Sequence, residues 1–385
     1  AGGRVTAAGR PAEVLRGDTI TARWLRGECR PPLRHPREAP RAWMAIRGAR
    51  GNNLRGEPVR LPLGWVTGVC GRSGSGKSTL IIDTLGRALA PVLHTTSTAR
   101  EPWEPLPYEA IEGAPPRAVV VDQARAAAAS PASYLDLLPP LHDLYAAGED
   151  ARALGLDAQA VGRRCAACKG SGTETLDMGF LPAVHDVCEI CGGSGYAPEA
   201  AAVRWDGLTL AELLALTVDE AYERLRDIER LAAPLAAARE VGLGYLALRQ
   251  PGRALSGGEA QRLKIAAELC RPARQDTLYI LDEPTVGQHL EDVARLIGAL
   301  HRLADAGHTV VAVEHHPHLL AACDWLVELG PGGGPDGGYV IAAGPPAELA
   351  AGDTPMAPYL RAVLWPGDGA AWLGQGTAPE NGGAP

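Results

Sequence analysis

The sequence predicts an α/β fold in which helices cover both faces of a parallel β-sheet. Short apolar runs alternate with helical segments over residues 277–330, and a glycine-rich loop separates an apolar strand from a helix near Lys77. Strands buried on both faces appear as continuous apolar runs, and parallel strands are usually connected by helices. A third observation, two Cys-x-x-Cys pairs within residues 165–191, predicts a small metal-stabilised module inserted into this fold.

The remaining elements follow from local patterns along the chain. A strand ending at Cys70 precedes the glycine-rich loop, and the Pro/Arg-rich segment 27–42 predicts a linker. Strands are expected at 118–122, 277–283, 309–315 and 325–330, helices at 289–306 and after 315, and helices with loops over 124–160. The amphipathic segment 209–240 predicts helix, with an interruption at Pro234.

Composition excludes several classes of protein. Apolar residues make up 46% and charged residues 21% of the 385, as is typical of a globular chain. No apolar run approaches roughly 20 residues, the length that spans a bilayer. No signal peptide is recognisable, so we expect a cytoplasmic protein without membrane contact. The eight cysteines form two close pairs and four single residues, which favours metal binding over a disulfide framework.

Charge is distributed unevenly. Residues 1–60 carry 13 Arg and five acidic residues, whereas the whole chain has a net charge of −8. A basic arm on an acidic body permits contact with nucleic acid without demonstrating it. Nearly all the basic charge is arginine, which we interpret as a compositional bias, so the number of arginines is weak evidence for function.

An internal repeat relates the two ends of the chain. Residues 2–26 and 337–361 align without a gap and are identical at fifteen of 25 positions. One interpretation is a single duplicated hairpin; the sharper one is that the chain starts at the end of one module and continues through a second. We therefore expect a preceding module's tail and linker at 1–36, a complete module at 37–365, and a disordered Gly/Pro/Ala-rich tail at 366–385.

The glycine-rich loop fits the pattern of a phosphate-binding P-loop. Its glycines allow backbone N–H groups to converge on phosphates, while Lys77 supplies a cation and Ser78 a hydroxyl for Mg²⁺. A Gly/Ser-rich linker that happens to contain Lys-Ser is the alternative, and the flanking strand and helix argue against it. The predicted ATP-binding residues are Gly71, Ser73, Gly74, Gly76, Lys77, Ser78 and Thr79.

Two carboxylates end the apolar strand near residue 280. Asp282 would hold Mg²⁺ through water, and Glu283 would polarise the attacking water in phosphoryl transfer. An apolar strand that ends in acidic residues is common, so the P-loop about 200 residues upstream is what gives this pair its weight.

Ser256 and two glycines begin a predicted helix. Ser256, Gly257 and Gly258 would present a hydroxyl and backbone N–H groups to an anion. An ordinary N-cap explains Ser256 but leaves the following Gly-Gly-Glu-x-Gln-Arg unexplained.

Four cysteines have the spacing of a structural zinc site. Cys165, Cys168, Cys188 and Cys191 form a Cys-x2-Cys-x19-Cys-x2-Cys pattern, and a Gly-rich turn follows each pair. Such turns free backbone N–H groups to point at the thiolates. With four thiolate ligands the site would be closed, so we expect structural zinc without catalysis. Two unrelated thiol pairs are the alternative.

The string LSGGEAQR at 255–262 resembles the signature of ABC-type ATPases. In that family the signature closes over the γ-phosphate bound to another module's P-loop. The resemblance implies that Gln123 is the Q-loop glutamine and His315 the switch histidine that senses the γ-phosphate. It also implies that residues 286–289 form the D-loop. The expected fold is thus an ABC-type ATPase core with a helical signature region at about 200–275 and an inserted zinc module at about 162–197.

The cysteine module distinguishes one branch of these ATPases. Strings such as CAACKGSGT (165–173), CEICGGSGY (188–196) and CDWLVELGPGGG (323–334) resemble the UvrA family over nearly the whole chain. The resemblance implies a dimeric ATPase that binds damaged double-stranded DNA in bacterial nucleotide excision repair, this chain being its C-terminal module. A complete ATP site then needs a second ABC module, in the same chain or by homodimerisation. The family's UvrB-binding domain belongs to the N-terminal module, so a UvrB-like partner is not assigned to this chain alone.

Other functions compete with this one. Residues 124–134 and 154–164 depart from the UvrA pattern near the part that handles DNA, so damage recognition could be altered. A specialised drug-resistance paralogue or a non-enzymatic remnant is another alternative; intact Lys77, Asp282, Glu283 and His315 argue against a dead enzyme but are compatible with specialised resistance. An ABC transporter ATPase subunit would lack the zinc module. For DNA contact the candidates are Arg163, Arg164 and Lys169, for which a solvated face is the alternative role.

Overall fold

A computed structural model describes residues 4–89, 104–122, 129–176, 184–271 and 276–365. The chain forms two compact units. Unit 1 consists of Ala1–His94, Ala99–Asp122 and Ala273–Pro385, and unit 2 of Thr95–Thr98 and Gln123–Pro272. The predicted tail at 366–385 lies outside the described residues. Among the described helices, none is both long and apolar enough to cross a membrane.

Strands and helices are named in chain order. The strands are β1 Trp43–Arg47, β2 Val59–Pro62, β3 Val66–Gly71, β4 Ala110–Glu112, β5 Arg117–Val121, β6 Thr173–Leu176, β7 Val184–Val187, β8 Arg204–Trp205, β9 Leu208–Thr209, β10 Thr277–Asp282, β11 Thr309–Val313, β12 Trp325–Gly330 and β13 Tyr339–Gly344. The helices are α1 Pro11–Arg16, α2 Ile20–Leu25, α3 Arg87–Leu89, α4 Pro131–Tyr134, α5 Leu138–Ala146, α6 Glu149–Leu154, α7 Ala158–Val161, α8 Leu210–Ala215, α9 Val218–Leu225, α10 Glu229–Glu240, α11 Gly257–Leu269, α12 Leu290–Asp305, α13 Pro317–Ala321, α14 Pro346–Ala351 and α15 Ala357–Leu364.

The main sheet of unit 1 has six strands in the order β13-β12-β3-β11-β10-β5. All neighbours are parallel except β13, which pairs antiparallel with β12 at one edge. Leu278 and Ile280 belong to the core on one face, while Tyr279 and Leu281, which point to the other face, are also buried. The predicted parallel sheet with two covered faces is confirmed.

A second, antiparallel sheet in unit 1 was not predicted. Its strand order is β2-β1-β4, and Met44, Ile46 and Leu61 pack in one core with the main sheet. Strand β1 is short, and its buried positions alternate with partly exposed ones. A two-residue period of this kind indicates a half-buried strand, so β1 could have been predicted from the pattern at 43–47.

The two repeat copies share only part of their structure. Helix α1 occupies the positions that align with α14, whereas residues 4–9 form no strand where the second copy forms β13. Strand β13 exists because it pairs with β12, and a strand needs such a partner to satisfy its backbone groups. The aligned positions therefore differ in structure because only one copy borders the sheet.

The Pro/Arg-rich segment 27–42 is anchored to the rest of unit 1 by arginines. Arg37 Nε lies 3.2 Å from Asp324 Oδ1, and Arg34 donates to the carbonyl of His301 at 2.7 Å. Both arginines also pair with Asp305, so the segment is attached although it contains no helix or strand.

Unit 2 is helical around two small two-stranded sheets. The predicted interruption at Pro234 is wrong, because α10 continues through Pro234 from Glu229 to Glu240. The breaks fall instead between α8 and α9 and between α9 and α10. Thr217 produces the first of them, since its side chain caps α9 and accepts a hydrogen bond from Glu220 N. Burial of Leu231, Leu235 and Ala238 stabilises α10 despite the missing proline N–H.

Candidate functional site

The P-loop connects β3 to a helix, as predicted. Helical residues begin at Lys77 and continue as a π-helix over Thr79–Gly86. Gly71 has φ +133°, and a Cβ there would lie 2.0 Å from the carbonyl oxygen of Leu329. Gly76 has φ +103° and also faces a close neighbour, Leu54. Side chains at these two positions would be strained, so the loop is built for close backbone approach.

Lys77 is nearly buried at the bottom of this loop. Its Nζ donates to the carbonyl oxygens of Gly71 at 3.0 Å and Arg72 at 2.9 Å. Burial is the main cause that lowers the pKa of Lys77, while Glu283 opposes the shift. The ammonium is therefore held by neutral carbonyls that a phosphate can replace as its partner.

A pocket of about 390 Å³ opens beside the loop and brings predicted residues together. It is lined by Asn52, Asn53, Ser73, Gly74, Gly76, Lys77, Ser78, Thr79, Glu283, His315 and Gly334. The pocket thus brings P-loop residues close to Glu283, which follows β10, and His315, which follows β11. Because β3, β11 and β10 are neighbours, their carboxyl ends meet at one edge of the sheet, where ligands of open α/β sheets bind.

Two acidic residues stand at this edge. Burial raises the pKa of the Asp282 carboxyl, and the negative charges of Glu283, Asp122, Asp83 and Glu314 raise it further. A concentration of carboxylates that disfavour one another's charge suits a hard divalent cation. Ser78 lines the pocket, whereas Asp282 does not, and their shared role as Mg²⁺ ligands stays a prediction.

Glu283 has an uncommon backbone conformation. Its φ is +44°, and its N–H donates to the Val313 carbonyl at 2.9 Å. A non-glycine residue in the left-handed region costs about 1–3 kcal/mol unless its surroundings hold it there. The conformation places Glu283 Oε1 3.6 Å from His315 Nε2.

His315 lies between opposing charges. Burial lowers its pKa first and the Lys77 charge lowers it further, while Glu283 and Glu314 oppose both effects. The net shift is downward and favours the neutral imidazole, the form that can both donate and accept a hydrogen bond.

Two pocket residues were missed by the sequence analysis. Asn52 Nδ2 donates to Thr79 Oγ1 at 3.1 Å, and Asn53 Nδ2 donates to the carbonyls of Gly74 and Gly334, both at 2.9 Å. The two amides brace the P-loop from outside its motif. An adjacent pair of asparagines soon after an apolar strand was visible in the sequence, but nothing local indicated what they face.

The signature residues belong to unit 2. Ser256 is exposed and caps α11, where it accepts a hydrogen bond from Glu259 N at 3.2 Å. Gly257 and Gly258 form the first turn of this 13-residue helix. Ser256 therefore has the capping role, the simpler of the two predictions for it. Because Ser256 is also exposed, its hydroxyl is accessible to an anion. Gln123 lies outside the described residues.

The four predicted zinc ligands converge in unit 2. The Sγ atoms of Cys165 and Cys188 are 4.0 Å apart, those of Cys168 and Cys191 are 3.7 Å apart, and all four lie within 4.8 Å of one another. Tetrahedral zinc with Zn–S bonds of about 2.3 Å places sulfurs roughly 3.8 Å apart, whereas a disulfide needs about 2 Å. The cluster therefore fits a metal ion.

Backbone groups support this cluster as expected from the Gly-rich turns. Gly172 N donates to Cys168 Sγ and Gly195 N donates to Cys191 Sγ, both at 3.3 Å. Such N–H groups stabilise thiolates and orient them toward a metal. Arg163, Arg164 and Lys169 are exposed around the cluster.

Comparisons with known proteins agree with the motifs. No protein-family model matches the chain. The chain is 41% identical to UvrABC system protein A of Thermus thermophilus over 94% of its length and 40% identical to that of Deinococcus radiodurans over 94%. These matches cover only 39% and 36% of the two relatives.

A solved structure extends the likeness to the fold. The crystal structure of UvrA2 from Deinococcus radiodurans superposes with a TM-score of 0.82 at 40% identity, covering 92% of this chain and 44% of that one. The ABC-type P-loop ATPase fold with an inserted four-cysteine module is therefore confirmed. With such identity over nearly its whole length, the chain matches the UvrA family in sequence and fold, and it spans about two fifths of the length of the curated relatives it matches.

Proposed function

We propose that this chain is an ATP-hydrolysing module that acts on DNA in nucleotide excision repair, as part of a UvrA-type assembly. The observation that carries the proposal is the pocket that joins Lys77, Ser78, Glu283 and His315 at one edge of the sheet. The likeness to UvrABC system protein A and to UvrA2 supports the repair context. The matched relatives are more than twice as long, so the function of the whole protein is part of the proposal.

In the proposed hydrolysis, Lys77, Ser78, Glu283 and His315 have distinct roles. Backbone N–H groups of residues 71–77 bind the phosphates, and Lys77 exchanges its carbonyl partners for phosphate oxygens. Mg²⁺, held by Ser78 and through water by Asp282, would neutralise phosphate charge. Glu283 accepts a proton from the attacking water, and His315 bonds the γ-phosphate. By family resemblance Gln123 completes this set.

A complete site needs a second module. In the proposed assembly Ser256, Gly257 and Gly258 of one module close over the γ-phosphate bound to the other, because a helix N-terminus stabilises anions. The partner is either a second copy of this chain or another module of a longer chain.

The first experiment measures ATP turnover per chain as the protein concentration increases. Self-pairing predicts that specific activity rises with concentration and that Lys77→Ala abolishes it. Turnover that stays at the Lys77→Ala level at every concentration would refute an autonomous ATPase, and activity would then require another module.

The zinc module is proposed to contact duplex DNA through exposed cations. Arg163, Arg164 and Lys169 surround the four-cysteine cluster and are available to bind phosphates. Removing one cation that binds a phosphate should make the slope of log affinity against log salt shallower by about 0.9. We expect this for Arg163→Ala and Arg164→Ala but not for the control Arg226→Ala, whose side chain pairs with Glu223. An unchanged slope in all three variants would remove the assignment.

A further inference from the structure

We propose that Glu314 is a positioning residue that holds Glu283 and His315 in register with each other. The inference deepens the proposed ATPase function, since it concerns the residues that would act on the γ-phosphate and the attacking water. Glu314 follows β11 directly and is 2% exposed. It is absent from the pocket lining, so it would act through its neighbours.

The Glu314 carboxylate accepts four hydrogen bonds, two on each oxygen. Oε1 accepts from Thr285 N at 2.9 Å and from the Thr285 hydroxyl. Oε2 accepts from His315 N at 2.6 Å and from His316 N at 2.9 Å. A carboxylate has about four lone-pair positions, so these donors use its whole capacity. One buried side chain thus ties together two backbone segments.

Those two segments carry the proposed catalytic groups. Thr285 belongs to the turn that begins at Glu283, in which Val286 N donates to the Glu283 carbonyl at 3.2 Å. His315 begins the segment after β11. Pairing of β10 with β11 ends at Asp282 and Val313, so the ladder does not reach the side chains beyond it. Beyond the ladder, Glu283 N donates to the Val313 carbonyl, and the bonds to Glu314 extend this connection to Thr285, His315 and His316.

The strained backbone of Glu283 is what makes the connection through Glu314 important. Glu283 adopts φ +44°, which persists only where neighbouring contacts hold it. Its N–H is fixed by Val313, and the next anchor in the turn is Thr285 on Glu314. Releasing that anchor would let Glu283 relax and change its 3.6 Å separation from His315. A displacement of about 1 Å at a reacting group can cost a hundredfold in rate.

The test compares five proteins in the full chain: wild type, Glu314→Gln, Thr285→Val, Thr285→Ser and Glu328→Gln. In Glu314→Gln an amide NH₂ replaces one oxygen. In one orientation it opposes the N–H groups of His315 and His316. In the other it opposes the Thr285 N–H, while the Thr285 hydroxyl can turn to accept from it. Thr285→Val removes only the hydroxyl, and Thr285→Ser keeps it. Glu328 is the matched control, because it is fully buried in β12 and accepts from Met356 N at 3.0 Å. It does not line the pocket.

Two measurements separate positioning from general stability. Steady-state kinetics should show kcat lowered about tenfold to a hundredfold in Glu314→Gln, with KM for ATP within about threefold of wild type. Thr285→Val should lower kcat and Thr285→Ser restore it. Amide hydrogen exchange should accelerate at Thr285, His315 and His316 in Glu314→Gln, and the control should match wild type in both measurements.

The outcomes decide the proposal in each case. Wild-type kcat and wild-type exchange at these amides in Glu314→Gln would overturn it, as would an equal loss of kcat in Glu328→Gln. If Glu314→Gln fails to fold, the two Thr285 variants decide. The proposal holds if kcat falls in Thr285→Val and returns to the wild-type value in Thr285→Ser, and it is overturned if the two variants have the same kcat. Should wild type show no turnover, only the autonomous ATPase is refuted, and hydrogen exchange at the Thr285, His315 and His316 amides alone decides whether Glu314 ties the two segments.

Discussion

Replacement of Asp324 by alanine should destabilise unit 1, whereas the same replacement of Asp305 should hardly matter. Both aspartates pair with Arg34 and Arg37 of the linker segment. The Asp324 side chain is 1% exposed, and its Oδ2 also accepts from Val66 N at 2.8 Å. The Asp305 side chain is 61% exposed. The two aspartates therefore share their arginine partners but differ in burial.

Burial sets the magnitude of each effect. Removing one partner of a buried ion pair costs about 3–5 kcal/mol, and an orphaned buried N–H such as that of Val66 contributes to that cost. Arg34 and Arg37 keep 18% and 27% of their side chains exposed, so water can compensate in part. We therefore expect about 3 kcal/mol for Asp324→Ala. Asp305→Ala should cost below about 1 kcal/mol, as exposed pairs do.

Urea unfolding followed by tryptophan fluorescence provides the assay. Among the described residues, Trp24, Trp43, Trp65, Trp325 and Trp365 belong to unit 1 and Trp205 to unit 2, so most of their signal follows the unit that is perturbed. A midpoint shift without a change in slope gives the difference in the free energy of unfolding. A loss below about 1 kcal/mol in Asp324→Ala, or an equal loss in Asp305→Ala, would refute the reasoning from burial.

Four further predictions concern the sites. Lys77→Ala should abolish tight ATP binding, measured with a fluorescent ATP analogue, because no other P-loop cation is buried beneath the phosphates in the described residues; retained affinity would contradict its role. Glu283→Gln should bind ATP but trap it unhydrolysed, and normal single-turnover hydrolysis would remove Glu283 as the base. Cys165→Ser should reduce zinc from about one per chain to near zero by mass spectrometry, with Cys270→Ser as the control that keeps it; unchanged zinc would disprove the ligand set. An NMR titration should place the His315 midpoint below the ordinary value of about 6.5, because burial and the Lys77 charge disfavour the protonated ring. Protonation of His315 then lowers the free energy of unfolding as the pH falls from about 6.5 through the lowered pKa. A midpoint above 6.5 would mean that protonation of His315 stabilises the fold instead.

The local motifs were predictable because their geometry depends on nearby residues. The P-loop lies between β3 and a helix beginning at Lys77, as its glycine spacing predicted. The cysteines lie together, and the Gly-rich turns donate N–H groups to sulfur as expected. Spacing of a few residues determines such turns almost regardless of the remaining fold. The roles of these residues in catalysis and zinc binding stay predictions.

Other features depended on partners far away in the chain. The sequence analysis missed Asn53, whose amide donates to the Gly74 carbonyl, 21 residues away, and to the Gly334 carbonyl, 281 residues away. It also misplaced the helix break at Pro234, since tertiary burial of α10 outweighed the local preference of proline. Glu314 appeared only as the residue before a histidine, and nothing nearby showed that it would accept bonds from Thr285.

The sequence by itself determined which chemical groups this protein has and how each is presented locally: a phosphate-binding loop, paired carboxylates, a signature helix and four cysteines. Only the tertiary structure decided which of them meet. Lys77, Glu283 and His315 come together because β3, β11 and β10 are neighbours in the sheet. The two repeat copies show the same rule, since residues identical at four of six positions form β13 beside β12 but no strand at 4–9. Hydrogen bonds between strands join distant residues, so strand order is a property of the whole chain that no local spacing contains.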